Sequence, residues 1–96
     1  MSIDSIHFAR ARILIEDHLE PGLDGRDAEH TAIVDIVADL MHECHELSIP
    51  WQFVEASCVG PMISDLRHYC FLQKHDWEAI EESANGHFVA EINGWT

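Results

Sequence analysis

Residues 39–44 read DLMHEC, and 26 positions later residues 65–70 read DLRHYC. The same offset lays residues 38–63 on residues 64–89. Asp39/Asp65, Leu40/Leu66, His42/His68, Cys44/Cys70, Trp51/Trp77, Glu55/Glu81, Ser57/Ser83 and Gly60/Gly86 coincide, and Val54/Ile80, Met62/Phe88 and Ile63/Val89 are similar. Average composition yields roughly one or two identities over such a window. A repeat of this length holds one supersecondary unit, and each copy reads as helix, short turn, capped helix. The expected fold class is all-α, with about five helices: two stacked αα-hairpins and an N-terminal helix packed across them.

Apolar spacing supports helices throughout. Phe8, Ala11, Ile15 and Leu19 recur at helical intervals, with Ile6, Ala9 and Ile13 on the adjoining strip. Ser2 or Asp4 can cap this N-terminal helix, expected over residues 1–20, and Pro21-Gly22 stops it. Residues 21–27 are turn-rich and read as a linker. The first hairpin is expected over residues 28–63. Its long helix carries Ile33, Ile36 or Val37, Leu40, Cys44 and Leu47 as one stripe, widened by Val34 and Met41. Pro50 fits the start of its second arm, where Trp51, Val54 and Cys58 are expected to face inward. Gly60-Pro61 then breaks or kinks the chain. In the second hairpin, residues 64–92, Leu66, Tyr69 and Cys70 continue a stripe begun by Met62 and Ile63. Asp76 is placed to cap a last helix with Trp77, Ile80, Ala84 and Phe88 inside.

A chain of 96 residues is a single small domain. It buries roughly 60–65% of its unfolded surface, enough for one core. No apolar run approaches the roughly 20 residues that span a bilayer, and the first 20 residues lack the pattern of a signal peptide or anchor. Three cysteines without a secretory signal suit a reducing, cytoplasmic setting, where a free thiol packs as a small hydrophobe.

Charge narrows the partners. Eighteen Asp and Glu oppose five Lys and Arg, a formal net charge of -13. Such a chain repels nucleic acid and anionic membranes and is drawn to basic protein surfaces. Solubility alone is the other explanation of the acidity. Carboxylates on exposed helix faces are the candidate contacts: Asp35, Glu43 and Glu46 on the long helix, and Glu78, Glu81, Glu82 and Glu91 on the last.

The repeated His and Cys invite a metal reading, and His42, Cys44, His68 and Cys70 are the candidate ligands. Within each copy the two are two residues apart, roughly 200° around a helix, so they cannot share an ion. Helical spacing instead sends cysteine to the core and sets Asp39 beside His42 and Asp65 beside His68 at i and i+3. There is no Cys-x-x-Cys, His-Glu-x-x-His, EF-hand, Walker or Gly-x-Ser-x-Gly pattern. No cofactor and no enzymatic activity are expected. Eight histidines among so many carboxylates make a pH-dependent charge conceivable.

Residues 64–91 resemble the tail of small acidic helical proteins carried by phages, plasmids and integrated elements. The shared shape is Asp-Leu-x-His-x-Cys, a turn, Asp-Trp, then Ala and His-Phe-x-x-Glu. Here it falls on Asp65, Leu66, His68, Cys70, Asp76, Trp77, Ala84, His87, Phe88 and Glu91. The first copy departs from it, with Pro50 for the capping Asp and Pro61 for the terminal His. The resemblance covers under a third of the chain and supplies no activity. It implies a protein inhibitor of a nucleic-acid-handling defence complex, anti-CRISPR-like, acting by nucleic-acid mimicry. A structural or regulatory interaction domain, with a homodimer as one form, is the second expectation, and a small zinc-binding domain the third.

Overall fold

A computed structural model of the chain describes residues 3–19 and 25–94. Four α-helices and one 3-10 helix follow one another: α1 Ile3–His18, α2 Arg26–Glu46, the 3-10 helix Trp51–Ala56, α3 Gly60–Gln73 and α4 Trp77–Ile92. No strand occurs among the described residues, so the fold is all-α. Ser2, Pro21 and Gly22, expected to bound the first helix, lie outside the described residues, as does most of the expected linker.

The two repeat copies share one helix ending in detail. Ser48 and Lys74, 26 apart, both adopt left-handed backbone, with φ of 59° and 60°. In the first copy Ile49 N–H donates to Cys44 O at 2.8 Å and Ser48 N–H to His45 O at 3.2 Å. In the second, His75 N–H donates to Cys70 O at 2.8 Å and Lys74 N–H to Phe71 O at 3.4 Å. Each is a Schellman ending, whose crossed bonds satisfy carbonyls that a helix terminus leaves unpaired. The repeated cysteine thus marks the last buried turn of each helix.

Beyond that turn the copies diverge. Asp76 accepts from Ala79 N–H at 3.2 Å and opens the 16 residues of α4. Pro50 has no side-chain acceptor, and only the six-residue 3-10 helix follows it. Pro61 decides the difference: a helix running on from Trp51 would meet a ring that lacks an N–H and clashes with the carbonyl of residue 57. The chain instead turns at Ser57, whose hydroxyl donates to Val54 O at 2.6 Å. Pro61 then occupies the first turn of α3, where the missing N–H costs little. His87, the equivalent residue, lies within α4 without such conflict.

Length then dictates packing. The 21 residues of α2 run about 32 Å, whereas six residues of 3-10 helix cover about 12 Å. The short arm cannot cover the apolar stripe of α2, so α4 lies along α2 while α1 lies along α3 and also borders α2. Helices of different units, and not the two arms of one unit, make the main contacts.

The core comprises Ala11 and Ile15 of α1, Ala32, Ile33, Val34, Ile36, Val37, Ala38, Leu40, Met41 and Cys44 of α2, Val54, Val59, and Ile63, Leu66, Tyr69 and Cys70 of α3. Ile80 and Ala84 of α4 complete it, with Phe8, Leu19, Trp51, Trp77 and Phe88 packed against its edge. Several residues expected inside are at the surface. Ile13 is 62% exposed, leaving α1 a narrow buried stripe, and Leu47 is 51% exposed because it lies beyond the last turn of α2. Met62 is exposed in the first turn of α3. Cys58 is exposed because the 3-10 helix ends before it.

Candidate functional site

Helices α2 and α4 position the candidate carboxylates. Asp35, Glu43 and Glu46 are exposed on α2, and Glu78 and Glu82 on α4. Asp39 is exposed on α2 as well, its carboxylate 3.6 Å from His18 Nε2, and stands one turn from Asp35. Asp35 opens onto a depression of ≈ 270 Å³ shared with His30, Thr31, Val34 and α4's Ser83 and His87. The remaining two candidates are engaged. Glu91 accepts from His42 Nε2 at 2.9 Å, tying α4 to α2. Glu81 is half-buried and accepts from the indole Nε1–H of Trp51 at 3.0 Å. Exposed carboxylates therefore line the outer rows of α2 and α4, while Glu81 and Glu91 serve in part to hold elements together.

Asp39 and Asp65, expected to pair with His42 and His68 at i and i+3, contact histidines of α1. His42 reaches across to Glu91, and its ring meets the edge of Phe88 at 4.9 Å between centroids. Asp65, buried in α3, bonds His7 of α1, and His7 stacks on His68 with centroids 4.2 Å apart. His68 Nδ1–H donates to Ser64 O at 2.9 Å. His42 thus finds its acceptor on α4, whereas His68 bonds a carbonyl of its own helix and stacks on His7 of α1; side chains at i and i+3 share a face but need not point together.

His42, Cys44, His68 and Cys70 are not brought together as a metal centre. Among the described residues, no group of three or more His, Cys, Asp or Glu side chains is placed to hold an ion. Burial, followed by the charges of Cys58 and Glu43, pushes the Cys44 thiol up from its ordinary value. The Cys70 thiol is pushed up to about 12, chiefly by burial and then by Glu29. Both cysteines are neutral packing groups.

Two constellations escaped the sequence reading. The first is inside: His75 Nε2 lies 2.9 Å from Glu29 Oε1, and Tyr69 stacks beside His75 with centroids 6.4 Å apart. Burial and a hydrogen bond to Glu29 hold the Tyr69 phenol well above its usual range. The second is a cavity of ≈ 190 Å³ lined by Trp51, Trp77, Glu55, Glu81 and Arg67, among others. A signal for it was available, because Trp51/Trp77 and Glu55/Glu81 are repeat identities. A larger, shallower groove of ≈ 390 Å³ lies beside Arg67, His68, Phe71 and Leu72. No described helix is long and apolar enough to cross a membrane.

Comparison with protein-family models, curated proteins and solved structures gave no match.

Proposed function

We propose that this chain is an acidic protein-binding module whose α2 and α4 carboxylates engage the basic surface of a nucleic-acid-handling complex and block it in the manner of an anti-CRISPR protein. The carrying observation is the row of exposed carboxylates on α2, Asp35, Asp39, Glu43 and Glu46, with Glu78 and Glu82 on α4, in a chain of net charge -13. Adjacent turns of a helix set such charges about 5–6 Å apart between Cβ atoms, close enough to present a continuous anionic edge to a Lys/Arg groove. Carboxylates then stand in for phosphates. The protein is titrated into a CRISPR effector bound to a labelled DNA duplex. Release of the duplex that weakens steeply with salt supports mimicry. Unchanged DNA binding at saturating protein removes it.

A second reading, an interaction domain without mimicry, is favoured by Phe71. This side chain is 82% exposed on α3 beside Leu72 and the ≈ 390 Å³ groove. An aromatic so placed is a potential anchor in a protein interface. Sedimentation of the wild type and F71S separates the readings: a dimer lost on substitution favours self-association through α3.

A further inference from the structure

The cavity beside the 3-10 helix gathers the very residues that the repeat duplicates. Trp51 and Trp77 hold equivalent positions in the two copies, and Glu55 and Glu81 follow each by four residues. All four line the same ≈ 190 Å³, with Arg67 of α3 at the same wall. Tryptophan packs a core equally well without a carboxylate one turn away, so packing alone does not explain the repeated pair.

The lining has a definite chemistry. Both indoles are half-buried, each leaving part of its surface open. Trp51's single N–H is committed to Glu81 Oε2 at 3.0 Å, which fixes the ring against the carboxylate. Arg67 is bonded to Glu55 and is about half exposed, so a guanidinium is already accommodated at this wall. Two carboxylates against one guanidinium leave the cavity negative. An anion is repelled by it, and a neutral apolar group would strip water from the carboxylates without return. A flat organic cation satisfies both features, since indole faces attract cations and carboxylates accept paired N–H groups from a guanidinium. The volume falls below the 300 to 1,000 Å³ or so of drug-sized pockets and suits one head group.

We propose that the Trp51–Trp77 cavity is a binding site for a single guanidinium group, held on the indoles and by the carboxylates of Glu55 and Glu81. The inference does not rest on the inhibitory reading, because its ligand is one head group and its test contains no nucleic acid.

Methylguanidinium, N-acetyl-arginine amide and the neutral N-acetyl-citrulline amide are each titrated into the full chain, followed by the indole N–H signals in 1H–15N spectra. The sequence holds three tryptophans, and W51F and W77F assign the signals of Trp51 and Trp77 among them. Both signals are expected to move saturably with the two cations and to stay still with citrulline. Tighter binding of the arginine derivative assigns the group to a peptide side chain, and equal binding to the free head group. E81Q keeps an acceptor for Trp51 while removing the charge, and is expected to weaken binding about tenfold with its unfolding midpoint little changed. Signals unmoved at millimolar cation, an equal response to citrulline, or unaltered affinity in E81Q overturns the proposal.

Discussion

His75 Nε2 lies 2.9 Å from Glu29 Oε1, joining the residue just past α3 to the first turn of α2. The His75 side chain is 2% exposed and that of Glu29 26%. Arg26, from the same turn of α2, donates to Gln73 O at 2.7 Å and to Lys74 O. The start of α2 therefore closes over the Schellman end of α3, supplying donors to its last carbonyls and a carboxylate to its buried imidazole. A polar ring at this depth requires such a partner.

Glu29→Ala should accordingly cost about 1–3 kcal/mol, because it leaves the buried His75 imidazole without its acceptor. The exposed Arg12–Glu16 pair, one turn apart on α1 at 2.9 Å, is the control. Glu16→Ala should change stability by no more than about 0.5 kcal/mol. Urea unfolding of both variants checks the contrast, and equal losses would mean that water substitutes at His75.

Thiol chemistry gives a second expectation. Cys58 is exposed, whereas Cys44 and Cys70 are buried with their thiols pushed up. Only the thiolate reacts with a disulfide reagent, so one rapid equivalent is expected from the native protein and three after unfolding. Linkage extends this to stability. The folded state holds the Cys70 proton up to about pH 12, while the unfolded chain releases it near 9.0. Tyr69 acts in the same direction, from an ordinary value of 10.0. The unfolded state thus binds fewer protons at alkaline pH, and stability is complete below pH 9 and falls as pH rises through 9 to 12. Thermal melts across that range measure the slope, which should be shallower in Y69F.

The capping of α4 is separable from its packing. Asp76→Ala removes the 3.2 Å acceptor for Ala79 N–H without touching the buried face of Ile80 and Ala84. A loss of about 1 kcal/mol is expected. Asp76→Asn, which keeps an acceptor, should restore most of it in the same denaturation assay.

How much of this was legible beforehand depended on whether a residue acts through its own helix or through another. The α2 stripe from Ile33 to Cys44 and the α4 face of Ile80 and Ala84 follow from period alone, and both are buried. Pro61 was readable as a break, but not as the reason why the copies grow second arms of different length. Partners across helices were hidden: Asp65 binds His7, 58 residues away, and Glu81 binds Trp51, 30 residues away. Spacing along one helix cannot supply such pairs, because they depend on α1 lying along α3 and on the 3-10 helix reaching α4's Glu81. The outward rows of α2 were legible as carboxylates, and Asp39 joined them once His42 turned to Glu91.

The equivalent glycines Gly60 and Gly86 offer the sharpest test of that divergence. A Cβ on Gly60 would run into the backbone carbonyl of Glu55, which a flexible side chain cannot relieve. Gly60→Ala must therefore push the 3-10 helix away from α3, at about 1–3 kcal/mol. A Cβ on Gly86 meets nothing within 4 Å, and the residue sits exposed inside α4. Gly86→Ala relieves the entropy cost of glycine in a helix and should add about 0.5–1 kcal/mol. In a domain of this size a change of 1 kcal/mol moves the melting midpoint by about 4–8 °C, so the two alanines should shift Tm in opposite directions. Matching shifts would mean that the second arm of the first copy is helical in the way the repeat alone implied, with Gly60 in open space like its mate.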